Sequence, residues 1–219
     1  MQEIPMTIDD CVFDFIFGMA VSDATNLGPN TKKDEKTDIL ENKKIKDEVK
    51  RYSDYILSNG AEGVGVSFEE AVANIKSNDD LSFGKIQKIL NMTTKYLFIR
   101  YYDDESKKGF DKCHAPMDSI MRDFVYESYY IVQGKERKNS EKPGFKKDCS
   151  WSQVEKKEYD NYQKAIDQII KSKKLNINRV EFDFMFWNQA KRLKNKTVSE
   201  QHEIIKKIWE EFDKKYLKY

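Results

Sequence analysis

The chain has 219 residues, with 39 Lys+Arg against 38 Asp+Glu and a formal net charge of +1; 39% of it is hydrophobic and 13% aromatic. That length supports a sizeable core, and the aromatic content excludes a disordered chain. No apolar run approaches the roughly 20 residues of a membrane-spanning helix. The stretch Cys11–Val21 follows Asp9 and Asp10 rather than the positive region of a secretory leader. Cys11, Cys113 and Cys149 are far apart and odd in number, which fits free thiols in a reducing compartment. A cytoplasmic protein without a membrane partner is therefore expected.

Apolar residues recur with the helical period along most of the chain. Residues 10–26 read as a mostly apolar, buried helix. Residues 34–58 read as one polar helix with Ile39, Leu40, Val49, Tyr52 and Ile56 inward. The stretch Gly60–Gly65 reads as a loop, because it lacks the Lys-Ser or Lys-Thr and the preceding strand of a phosphate cradle. Ser67 with Glu70 forms a capping-box pattern opening a short helix to Lys76. Residues 84–100 carry Ile86, Ile89, Leu90, Thr93, Tyr96 and Leu97 on one face, and residues 117–132 carry Ile120, Met121, Phe124, Val125 and Val132. A loop rich in Lys, Gly, Pro and Ser spans 133–150. The pairs Ser152/Glu155, Asn178/Glu181 and Thr197/Glu200 open three more helices. Strand alternation is nowhere sustained. The expectation is an all-α fold, a single globular domain of about eight helices over 1–219.

The near-zero net charge conceals an asymmetry. Residues 1–81 hold 9 basic and 17 acidic residues, net −8; residues 82–219 hold 30 and 21, net +9. Residues 82–100 carry Lys85, Lys88, Lys95 and Arg100 without an acid, and residues 171–196 carry eight basic residues against Glu181 and Asp183. Such a surface attracts phosphates. It also fits a dipolar protein whose acidic half packs near its basic half, or one that binds an acidic or basic protein partner.

One constellation points to chemistry. The string Leu81-Ser82-Phe83-Gly84-Lys85-Ile86-Gln87-Lys88 follows a short helix and the polar turn Ser77–Asp80, giving a helix, tight turn, helix pattern. Gly at such a turn lets backbone N–H groups approach a phosphate at the next helix's N-terminus. Downstream comes His114-Ala115-Pro116-Met117-Asp118-Ser119, with Asp118 in the first turn of a helix. Asn91, Thr93 and Thr94 lie on an otherwise buried helix and need partners, as does Gln87. No CxxC, HExxH or HxH pattern is present, so neither a metal site nor a cofactor is expected. Trp151, Trp187 and Trp209 read as packing residues.

The strings FGKIQKILNMTTKYL and HAPMDS resemble signatures of an uncharacterised family of small helical bacterial proteins that also carries a later Trp-bearing helix, here around Trp187. This resemblance covers about half the chain, 81–187, and implies no activity. More distantly, the layout is similar to the helix-hairpin-helix DNA glycosylases. In that family a Lys after a Gly-rich hairpin attacks C1′ of the deoxyribose, and an Asp in a Val-Pro-Val-Asp-like motif stabilises the oxocarbenium. Carried over, Lys85 or Lys88 matches the Lys, and Pro116 and Asp118 match the Pro and Asp. The chain departs from the pattern in keeping one hairpin glycine, Gly84, and in the offset of both lysines from it. The resemblance implies a DNA-binding protein with lyase- or glycosylase-like chemistry on modified or damaged bases. Lys85, Lys88 and Asp118 would be catalytic, with Gly84, Gln87, Lys95, Arg100, His114, Lys191 and Arg192 as nucleic-acid contacts. The other reading is a non-catalytic protein-interaction module, as in phage–host conflict.

Overall fold

A computed structural model describes residues 7–25, 33–102, 105–134, 143–145 and 150–216. The fold is all-α: the described residues form nine α-helices and three 3-10 segments, without a strand. The chain divides into two compact units, Met1–Pro116 and Met117–Tyr219. The charge step at Leu81 falls inside the first unit, in the connection between two of its helices.

The first unit contains α1 (Ile8–Thr25), α2 (Lys33–Glu41), α3 (Lys43–Leu57), α4 (Phe68–Asn78), α5 (Phe83–Arg100) and a 3-10 segment, Glu105–Lys112. Its centre is α5, which packs against α1, α3, α4 and the 3-10 segment. Of its 18 residues, 13 are buried, so far more than a single face is covered. Phe13, Ile16, Phe17, Ala20 and Val21 of α1 and Ile45, Val49, Tyr52 and Ile56 of α3 complete this core.

Two expectations are corrected here. The segment 34–58 is not one helix. It breaks at Asn42, whose side chain accepts from the Lys44 and Ile45 backbone N–H groups and caps α3, while its Nδ2 donates to Asp79 Oδ2 at 2.9 Å. Asn at an N-cap competes well with helix continuation. Nor is α1 buried on all sides: Ile8 and Phe15 are 81% and 70% exposed. The Ser67/Glu70 capping box is present with both of its reciprocal hydrogen bonds.

The second unit contains α6 (Ser119–Val132), a 3-10 turn (Trp151–Gln153), α7 (Lys156–Ser172), α8 (Arg179–Ala190), a second 3-10 turn (Lys191–Leu193) and α9 (Val198–Tyr216). α6 packs against α7, α8 and α9. Aromatic rings fill the core: Phe186 lies 5.3 Å from Phe124 and 4.8 Å from Trp209, centroid to centroid. The buried Trp209 indole donates to Ser128 Oγ at 3.0 Å, so its one polar atom is satisfied. Asn178/Glu181 and Thr197/Glu200 form the expected capping boxes. Ser152 does not cap a helix. Its hydroxyl pairs with Ser150 Oγ at 2.8 Å, a 3-10 turn intervenes, and α7 starts after Glu155, which makes no side-chain cap bond. Most of the 133–150 loop, with Cys149, lies outside the described residues.

Tight backbone packing in the first unit gives a direct test. Gly63 and Gly65 both have positive φ, 77° and 72°. A Cβ at Gly63 would meet nothing within 4 Å, whereas one at Gly65 would sit 2.1 Å from the Arg51 carbonyl oxygen. Gly63→Ala is expected to cost about 1 kcal/mol from backbone strain alone. Gly65→Ala should cost roughly twice that or more. Equal losses in denaturant melts would refute the close approach.

Candidate nucleic-acid interface

The α5 N-terminus is built differently from a glycine hairpin. Ser82 is the N-cap, its hydroxyl accepting from the Lys85 backbone N–H at 3.4 Å. Gly84 is buried within the first turn of α5 rather than in the connection before it. The turn itself is 79–82, and one of the N–H groups that would face a phosphate is taken by Ser82.

Lys85 sits in the first turn of α5 and forms an ion pair with Glu35 of α2. Lys88, one turn later, is only 6% exposed. Gln87 is fully buried and accepts from Asn91 Nδ2 at 3.0 Å. Gln87, expected as a nucleic-acid contact, thus has its amide in the core around α5, and Gly84 is buried beside it. The partners expected for Asn91 and Thr94 are found within the helix. Asn91 bonds Gln87, and the Thr94 hydroxyl donates to the Leu90 and Asn91 carbonyls at 3.3 and 3.1 Å. Thr93 Oγ1 is buried with no hydrogen-bond partner among the described residues.

The remaining basic groups of this stretch do not form one patch. Lys85 and Arg100 lie fifteen residues apart on α5, about 22 Å along its axis. Lys95 is half-buried between them. The Arg100 guanidinium lies over the Tyr101 ring, 5.2 Å from its centroid. His114 is half-buried, with its ring 4.5 Å from that of Phe68.

Asp118 belongs to the second unit, whereas Lys85 and Lys88 belong to the first. It is the N-cap of α6 rather than a residue of its first turn, and accepts from the Met121 N–H at 2.8 Å. It also borders a polar cluster that the sequence reading missed. Tyr162 of α7 is fully buried, and its hydroxyl is pushed well above the usual phenol range by burial, then by the charges of Asp183 and Asp118, with Arg122 opposing them. Arg122 and Asp183 are themselves buried. The available signals were the one-turn spacing of Asp118 and Arg122, and an acid inside the run Phe182-Asp183-Phe184. A second buried acid, Glu127 on α6, lies 3.7 Å from His202 Nδ1 on α9.

The exposed cations of the second unit gather where α8 ends. Lys191, Arg192, Lys194 and Lys196 are all exposed. The Lys191 ammonium lies 3.4 Å from the centroid of the Trp187 ring, and Arg192 donates to Gln189 at 2.9 Å. Of these four, only Lys196 has a carboxylate among the described residues, Glu200 at 3.6 Å. By contrast, Arg179 is held by both oxygens of Asp167 at 2.7 Å, and Lys173 by Asp213. Among the described residues, no group of three or more His, Cys, Asp and Glu is placed to hold a metal ion.

No protein-family model matches the chain, and no curated protein and no solved structure is significantly similar to it.

The two thiols of the first unit are predicted to differ in reactivity. Cys11 is exposed; Cys113 is buried, and burial pushes its thiol from 9.0 up to about 12 against opposing hydrogen bonds from Thr94 and Tyr52. The neutral thiol is thus favoured by the fold. That contribution is present below about pH 9 and is lost as the pH rises toward 12. In a Cys149→Ser background at pH 8, a thiol reagent should label Cys11 alone in the folded protein and both cysteines in denaturant. Rapid labelling of Cys113 before unfolding would contradict the packing around it.

Proposed function

We propose that this protein binds DNA through the second unit, and that binding rather than base excision is its activity. The observation that carries the reading is the exposed row Lys191, Arg192 and Lys194, none of which has a carboxylate partner among the described residues. Cations already paired with carboxylates have little to gain from a phosphate, while free exposed ones release condensed counterions on binding. The second unit as a whole supports the same reading: it holds 23 basic against 17 acidic residues, net +6, and the first unit 16 against 21, net −5.

The narrower excision reading requires Lys85 or Lys88 to present a neutral amine to C1′ of a deoxyribose, with Asp118 beside the developing cation. Lys85 is engaged by Glu35, and Lys88 is covered. Neither arrangement favours attack on a bulky polymer.

Binding is tested by titrating labelled duplex and single-stranded DNA across a range of salt. The expected result is affinity that falls steeply with salt. The triple substitution of Lys191, Arg192 and Lys194 by Ala should shallow the slope of log K against log salt by about 3 if each meets one phosphate. No binding at low salt, or a slope unchanged by the triple variant, would reject this interface. Borohydride trapping on damaged DNA addresses the excision reading: an adduct lost on Lys88→Ala or Lys85→Ala would reinstate it.

A further inference from the structure

Resting on the DNA-binding reading above, we propose that the strand bound at the end of α8 is unpaired, and that the Trp187 ring is the platform on which one of its bases stacks. α8 gives two neighbouring aromatic residues opposite placements. Phe186 points into the core, 3% exposed and packed on Phe124 and Trp209. Trp187 is rotated from it by about 100° and is half-buried, at the border of the core face. Phe184, one turn back and about 60° beyond Trp187, is half-buried as well. Asn188, still farther round, is exposed.

A core tryptophan is packed among fixed neighbours, as Trp209 is among Phe124, Phe186 and Phe212. The Trp187 ring carries something else on its face. The Lys191 ammonium lies over it, 3.4 Å from the centroid, at the end of an exposed and flexible side chain. A cation resting on a ring at the surface is a weaker contact than a nucleobase stacked on one. A base can therefore take the place of the ammonium. The ammonium then gains a phosphate of the same strand, so the exchange gives up one weak contact and makes two stronger ones.

The local sequence suits a polyanion led past this ring: Phe184 to Ser199 holds four cations and no acid. Charge alone does not separate the forms of DNA, because duplex and single strand both offer phosphates to Lys191, Arg192 and Lys194. The ring does separate them. In a duplex the base faces are stacked on one another, and only phosphates and base edges are left for the protein. An unpaired strand presents base faces as well. The chemistry recognised is thus an unpaired base flanked by phosphates, with little choice of sequence, since every base has a ring face.

The test measures the full chain at low salt against three probes: an oligothymidylate, a strand of equal length built from tetrahydrofuran abasic units, and covalently closed circular duplex, which exposes no end base. The oligothymidylate should bind about 10-fold more tightly than the equally charged abasic strand, and it should quench tryptophan emission where the abasic strand does not. This comparison uses the wild-type chain, so it holds even if a variant folds poorly. Trp187→Leu should remove the preference and the quench while leaving affinity for the abasic strand and the duplex unchanged, a pattern that general unfolding would not give. Trp187→Phe, which keeps a ring, should retain most of the preference. Lys191→Ala should shallow the salt slope on a single strand by about 0.7 and keep the preference. Equal wild-type affinity for the thymidylate and abasic strands overturns the proposal while leaving DNA binding in place, as does a preference that survives Trp187→Leu. Failure of all three probes to bind rejects the DNA-binding reading and the base platform together.

Discussion

The first unit depends on burying a helix that is not apolar. α5 carries Gln87, Lys88, Asn91, Thr93 and Thr94 into the protein interior. Each such group gives up water and must recover the loss from a protein partner. The chain does this largely within α5: an amide of one turn bonds the amide of the next, and a threonine hydroxyl returns to carbonyls three and four residues back. Cys113 closes on the same region through Thr94 and Tyr52. With Gln87, Asn91 and Thr94 bonded within the helix, α5 can be surrounded by apolar neighbours, and α1, α3 and α4 share it.

Several basic residues of the first unit are held in ion pairs, Lys85 to Glu35, Lys46 to Asp14 and Lys50 to Asp10. At the end of α8, Lys191, Arg192 and Lys194 have no carboxylate among the described residues, and Lys191 lies over an indole ring. Counting charges along the chain does not separate the two cases. Lys85 and Lys191 are equal in the sequence and opposite in availability.

What could be read from sequence was what is local. Three capping boxes needed only residues three apart, and the helical period identified the all-α class without a partner in view. Gly84 misled because a turn glycine and a first-turn helix glycine look alike until Ser82 is seen to cap. Ser152 misled because its hydroxyl found Ser150 first. The pairing of Lys85 with Glu35 spans 50 residues, and no periodicity reports it. The cluster around Tyr162 draws on α6, α7 and α8, so its members were visible singly, as an acid in an aromatic run, but not as a group.

Asn42 carries a consequence that a capping scale would overlook. Asn and Asp serve almost equally well at the start of a helix. Here the carbonyl half of the amide caps α3 while the NH₂ half reaches the Asp79 carboxylate at the far end of α4. An aspartate would keep the first contact and turn the second into a repulsion between two anions. Spontaneous loss of this one amide nitrogen through ageing would therefore leave the cap intact and set two carboxylates against each other where α3 meets the end of α4. The chain's choice between two chemically adjacent letters is made by a residue 37 positions away.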